Sequence, residues 1–285
     1  MPNRSPLPAD IDSLDQVHAL DAVARRHVIE APAGPMVWRS WGEGDPLVLF
    51  HGGSGSWTHW VRNIGPLASA GRQVWVPDLP GFGESASVGR DADALPVPME
   101  RALAELLGDQ PVDVAGFSFG TMVGAFIAAQ FPQRVRRLVF TGAPALGVRS
   151  AHPIDLQPWA HLPPGPELEA AMRENLRILM LSDPAAIDPL AVALHTANLQ
   201  RDRMKRRRIS RTEIMKETLP SLRCPVYGIW GEDDVLHRGV QDQLPGALAR
   251  APGFVSLVLI PHAGHWAPYE RPQAYNAALL AALAG

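Results

Sequence analysis

The sequence predicts an α/β protein: a mostly parallel sheet with helices on both faces, interrupted by one all-helical insertion. Three observations lead there. Short apolar runs bounded by turn residues recur along the chain and alternate with helix-length segments. The alternation stops between about residues 145 and 221, where only helical patterns occur. A Gly-x-Ser-x-Gly string, Gly116–Gly120, stands between a continuous apolar run and an apolar helix-length segment.

Residues 1–24 form a polar, Pro-bearing lead, expected to be poorly structured or packed on the surface. RHVIEA (Arg26–Ala31) and MVWRSW (Met36–Trp41) flank Pro32–Pro35 and read as a hairpin. PLVLF (Pro46–Phe50), QVWVPD (Gln73–Asp78), VDVAGF (Val112–Phe117), RLVFTG (Arg137–Gly142), VYGIWG (Val226–Gly231) and SLVLIP (Ser256–Pro261) follow. Unbroken apolar runs of this kind belong to strands buried on both faces, as parallel strands are. Helices are expected at Met99–Leu107, Phe119–Gln130, Val240–Arg250 and Pro272–Leu283. Within the insertion, helical patterns cover Glu167–Met180 and a longer stretch from Ala186 to about Lys216. The expected organisation is a core of residues 25–144 and 222–285, with 145–221 as a helical cap over the carboxyl end of the sheet.

Composition narrows the function. The chain has 285 residues, 26 Lys+Arg against 29 Asp+Glu and a formal charge of −3. Neither nucleic acid nor an anionic membrane is an expected partner, because both need concentrated positive charge. A single cysteine, Cys224, excludes a disulfide framework and a Cys-based zinc site. It reads as a packed small hydrophobe at the start of a buried strand. The histidines show no metal-binding helical spacing, so no metal and no cofactor is expected. The start has no apolar signal region, and the apolar run Ala277–Ala284 is too short to span a bilayer. A cytoplasmic protein acting on a small molecule is the expectation.

Ser118 lies at the centre of the strongest motif. A serine at a sharp strand-to-helix turn, flanked by glycines that leave room for the backbone, is exposed for attack at a helix N-terminus. It needs a base held by a third group. Asp234 after VYGIWG and His265 after SLVLIP supply acid and base at the same sheet edge, with Asp233 as the rival acid. His51-Gly52-Gly53 follows PLVLF, and the backbone N–H groups of Gly53 and Phe119 are the expected oxyanion hole. His51 itself reads as a structural hydrogen-bonding residue.

These motifs, with DLPGFGES at Asp78–Ser85, WGEDD at Trp230–Asp234 and GHWAPYERP at Gly264–Pro272, resemble the α/β-hydrolase fold superfamily from about Val28 to Leu283. Ser rather than Asp at 118 argues against its haloalkane-dehalogenase and epoxide-hydrolase branches. HGGSGSWTHWVRNIGP (His51–Pro66), GHWAPYE and SDPAAIDPLAVALHTANL (Ser182–Leu199) are similar to segments of the meta-cleavage product hydrolases, which cut a C–C bond in 2-hydroxy-6-oxo-dienoates. The resemblance also implies a possible homodimer. Three positions depart from that family. His59 and Phe117 stand where it usually carries Asn, and His195 aligns with its carboxylate-binding cap arginine.

Two enzyme readings therefore stand. The first is a cofactor-free serine esterase or lactonase acting through an acyl-enzyme on a small to medium carboxylic ester or lactone. The other is a C–C hydrolase of meta-cleavage products. A non-catalytic ligand-binding member of the fold is the remote third, since a binding module needs no coordinated acid and base. His59, Phe117, His195 and Trp266 are the candidate substrate contacts, and Trp57, Trp60 and Trp159 are further candidates for lining an apolar pocket. Arg201, Arg203, Lys205, Arg206, Arg207, Arg208 and Arg211 face only Asp202 in the same stretch. On a helix Arg201, Lys205 and Arg208 would share a face. The run is either a solvated cap face, or places one of its arginines in the pocket against a substrate carboxylate, with Arg201 or Arg208 the candidates to replace the missing cap arginine, or meets an anionic partner.

Overall fold

Side chains alternate between the two faces of a strand, so a strand covered on both sides must be apolar throughout. In β3 (Asp45–Phe50), Leu47 and Leu49 bury in one apolar layer while Val48 and Phe50 bury in the other. β5 (Val112–Phe117) does the same, with Val112 and Val114 on one side and Ala115 and Phe117 on the other. The computed structural model describes residues 7–8, 10–89, 91–204 and 207–285.

The sheet has eight strands in the order β1-β2-β4-β3-β5-β6-β7-β8. β1 (Arg25–Ile29) and β2 (Met36–Trp41) form the antiparallel hairpin, and β2 runs antiparallel to β4 (Arg72–Pro77). From β4 onward all pairs are parallel, through β6 (Val135–Thr141), β7 (Val226–Gly231) and β8 (Phe254–Ile260). The chain leaves β3 for β4 on one side and returns to β5 on the other. That reversal opens a crevice at the carboxyl ends of the strands, the usual ligand position in open α/β sheets.

The helices are α1 (Leu14–Ala22), α2 (Val61–Ser69), α3 (Pro96–Leu107), α4 (Phe119–Gln130), α5 (Pro166–Asn175), α6 (Pro189–Gln200), α7 (Met215–Thr218), α8 (Leu244–Leu248), α9 (Ala267–Glu270) and α10 (Pro272–Ala284). α3, α4 and α8 contribute to one apolar layer, α2, α9 and α10 to the other. None of the described helices is long and apolar enough to cross a membrane. Between β6 and β7 the described regular elements are all helical, with a π turn, Leu176–Met180, continuing α5.

Several expectations change. The lead contains α1, whose Val17 and Leu20 are buried, and the Trp41 indole donates to the Leu20 carbonyl at 2.9 Å. β8 is an edge strand, not a buried one; Val255 and Leu259 on one face and Val258 on the other are exposed. The Val240–Arg250 segment shortens to a 3₁₀ turn and α8. The helix expected to reach Lys216 stops at Gln200. There the Arg203 N–H is drawn to the Gly81 carbonyl at 2.9 Å, and Asp202 binds Ser54 and Arg207. Bonds to the core replace the helical ladder, so Arg201 and Arg208 share no helix face. Lys205 and Arg206 lie outside the described residues.

Candidate active site

Ser118 sits between β5 and α4 with φ 50 and ψ −116, left-handed backbone that L residues rarely adopt. Its N–H donates to the Thr141 carbonyl on β6 at 2.7 Å, and the Thr121 hydroxyl donates to the Gly116 carbonyl at 2.6 Å. The flanking glycines are required by space. A Cβ on Gly120 would lie 2.3 Å from the Phe50 carbonyl oxygen, and one on Gly116 2.4 Å from the Thr121 Cα. The motif thus packs the first turn of α4 directly against the ends of β3 and β5. That leaves Ser118 on a cavity of about 1110 Å³.

Asp234 and His265 meet at the same edge. The Nδ1 of His265 lies 3.0 Å from both carboxylate oxygens of Asp234, which is fully buried. Burial alone pushes this carboxyl up, but the neighbouring imidazoles, His265 first and then His237, together outweigh that and hold it below the usual carboxylate range. An ionised carboxylate at Nδ1 fixes the proton there and leaves Nε2 as the basic nitrogen. Asp233 is half-buried and has no side-chain bond to His265. The loop before His265 is tied down by Glu270, whose carboxylate accepts from the Gly264 N–H at 2.6 Å and the Ser182 N–H at 2.9 Å. This role of the GHWAPYE segment escaped the sequence reading.

His51 stays structural. Its Nε2 accepts from the Leu79 N–H at 2.8 Å, which places the proton on Nδ1, donated to the Gly52 carbonyl at 2.8 Å. Burial lowers its pKa to about 4. Gly53 and Phe119 both line the cavity, and Phe119 is in the first turn of α4, where backbone donors have no intrahelical partner. The Gly52 N–H is taken by His59 Nδ1 at 3.2 Å.

Of the candidate substrate contacts, His59, Phe117 and His195 line the cavity. Phe117 lies 5.0 Å from the His265 ring and 5.4 Å from His59, centroid to centroid. Burial, then neighbouring imidazoles, holds His59 well below its ordinary value, and burial lowers His195 to about 4. Trp266 is not part of the lining. It is fully buried behind His59, donating to its carbonyl at 3.0 Å and stacking on Tyr269. Trp57 and Trp60 are likewise core residues, whereas Trp159 does line the cavity. Cys224 is buried, with its thiol pushed up to about 11. Among the described residues no group of three His, Cys, Asp or Glu is placed to hold a metal ion.

Arg201 and Arg208 are exposed and off the cavity, whereas Arg207 lines it and lies against Gly53. A Cβ on Gly53 would lie 3.1 Å from its Nε, and its guanidinium donates to Asp202 at 2.8 Å and to the Ser54 hydroxyl at 2.9 Å. Only the break after α6 brings it there, so helical periodicity pointed to the wrong residues. Arg211 of the same run also lines the cavity, as do Arg149 and His237, which the sequence reading did not single out.

The site geometry and the sheet define the class, and comparison with known proteins agrees. A family model described as alpha/beta hydrolase fold matches residues 45–167. A 2-hydroxy-6-oxo-6-phenylhexa-2,4-dienoate hydrolase of Burkholderia cepacia is 27% identical over 254 residues, 82% of this chain and 86% of its own. Among solved structures, a carboxylesterase of Bacillus subtilis superposes with a TM-score of 0.72 at 20% identity, covering 94% of this chain and 95% of that one. A meta-cleavage product hydrolase of Pseudomonas fluorescens IP01 gives 0.70 at 23% identity, with 90% and 97% covered. The chain has the α/β-hydrolase fold. Its sequence relatives point to hydrolase activity, and the solved structures show the shared fold.

Proposed function

We propose that the protein is a serine hydrolase of small to medium carboxylic esters or lactones, with the helical segment 145–221 as a cap over the site. The observation that carries the reading is the Asp234–His265 pair at 3.0 Å on the cavity that also exposes Ser118 in its left-handed turn. In this mechanism His265 Nε2 takes the Ser118 proton as the hydroxyl attacks the carbonyl carbon. The oxyanion is held by the Gly53 and Phe119 N–H groups, each donor worth about 2.7–4 kcal/mol in comparable sites. The protonated His265 gives its proton to the leaving alcohol. Water, deprotonated by His265, then releases the acid and restores Ser118.

The neutral state of His59 and His195 supports a neutral acyl group over a dienoate, since neither imidazole offers charge to a carboxylate. C–C hydrolysis of a dienoate remains the second reading because Arg207 does bring a cation to the same cavity, although Asp202 already pairs with it. The deciding experiment compares kcat/KM for p-nitrophenyl butanoate with that for a 6-phenyl dienoate. A higher value for the ester is expected. A higher value for the dienoate, with a KM that Arg207→Gln raises selectively, makes the second reading the right one.

A further inference from the structure

His237 lines the cavity yet is only 1% exposed, and no step above uses it. It follows Asp234 by three residues on the loop after β7, with its Nδ1 3.6 Å from an Asp234 oxygen. What fixes its tautomer is Trp230. The buried indole N–H points at His237 Nδ1 at 3.2 Å, and an indole nitrogen can only donate. Nδ1 is therefore an acceptor, and the imidazole proton resides on Nε2. No described group partners Nε2. A donor on a cavity wall without a protein partner is a preorganised contact for a ligand, because a ligand that covers it without an acceptor forfeits its hydration.

We infer that His237 is a specificity-determining residue. Its Nε2–H binds an oxygen acceptor, a carbonyl or ether, in the arm of the substrate that runs past Val235–His237. The preferred substrates are then oxygenated esters or lactones rather than plain alkyl esters. This rests on the ester-hydrolase reading for its setting, but the contact itself is a binding property and can be measured without turnover.

The test is calorimetric titration of the Ser118→Ala protein with two matched pairs: methyl hexanoate against methyl 5-oxohexanoate, and pentyl acetate against 4-oxopentyl acetate. The oxo group makes each ligand more water-soluble, so hydrophobic partition alone disfavours it. About tenfold tighter binding of at least one oxo ligand is expected, equivalent to about 1.4 kcal/mol. Adding His237→Phe should remove the preference, and His237→Gln should restore part of it, since an amide can accept from Trp230 and still donate to the cavity. Trp230→Phe, which frees the tautomer, should weaken the preference if His237→Phe fails to fold. No oxo preference in either pair, or one that survives His237→Phe, overturns the proposal. So does a uniform fall in kcat for all esters at an unchanged ratio, the signature of mere support for Asp234. Binding preference without hydrolysis of either ester by the wild type rejects the ester reading and leaves the His237 contact standing.

Discussion

Lowering the pH from 8 to 5 should destabilise the fold by charging histidines that it keeps neutral. Burial takes His51 and His195 from 6.5 to about 4. As pH falls, the unfolded chain takes up these protons first. The stabilisation is complete above 6.5 and is lost progressively down to about 4. At pH 5 each histidine then contributes a loss of about 2 kcal/mol, about 4 kcal/mol for the pair, against a typical total stability of about 5–15 kcal/mol. His59, held lower still, acts in the same direction. Asp78, raised by burial, acts in the opposite one. Urea unfolding of the wild type and His195→Leu at pH 8, 7, 6 and 5 measures this. His195 has no side-chain hydrogen bond among the described residues, so the variant should remove about 2 kcal/mol of the pH 5 loss. A flat profile, or the same slope in both proteins, would show that His195 is charged in the fold. It would then be available to a substrate carboxylate after all.

Other outcomes follow from the site. Ser118→Ala and His265→Ala should each lower ester turnover by several orders of magnitude in protein that still folds, and the double variant should be little worse, because the groups act as a unit. Asp234→Asn should reduce kcat by roughly 10⁴, by analogy with triads that trap the wrong tautomer, while Asp233→Asn should leave it within a few-fold. The reverse ranking in steady-state assays would move the acid to 233. Gly120→Ala should abolish soluble folded protein or sharply lower its urea midpoint, since the added carbon would lie 2.3 Å from the Phe50 carbonyl oxygen and 2.5 Å from that of His51.

Where burial on both faces dictated residue type, the sequence was readable. β3 and β5 are apolar at successive positions because each side chain meets a layer of helices, and such a run admits little else. Gly116 and Gly120 are readable for the same reason, since any larger residue collides with β3 or α4. The pattern failed where distant bonds overrode local preference. Residues after Gln200 keep a helical composition, but Asp202 turns to Ser54 and the Arg203 N–H to Gly81, contacts that no periodicity reports. The same break moved the pocket arginine from Arg201 or Arg208 to Arg207. Trp266 misled for a related reason: adjacency to His265 in sequence put it behind His59, on the far side of the cavity wall. β8 reads as a buried strand because its inner neighbours are apolar, whereas an edge position is a property of the whole sheet.

The distinction between ester and C–C hydrolysis lies in what holds the rest of the substrate, because both chemistries use a serine, a base and a carbonyl. On the side of Gly52 and His59 the wall is a phenyl ring and two imidazoles that burial keeps neutral, Phe117, His59 and His195. The one guanidinium lying against Gly53 already donates to Asp202 and Ser54, so a substrate carboxylate must compete with an ion pair of 2.8 Å. Displacing it leaves a largely buried Asp202 without its cation, a loss of about 3–5 kcal/mol for pairs of this kind. A bidentate carboxylate–arginine contact returns about 3–6 kcal/mol from its two charged bonds, so the exchange roughly breaks even. A neutral acyl group incurs no such exchange. In the proposed ester reaction it would pack on Phe117 and leave the Arg207–Asp202–Ser54 link intact beside the Gly53 loop, and that supports the ester proposal.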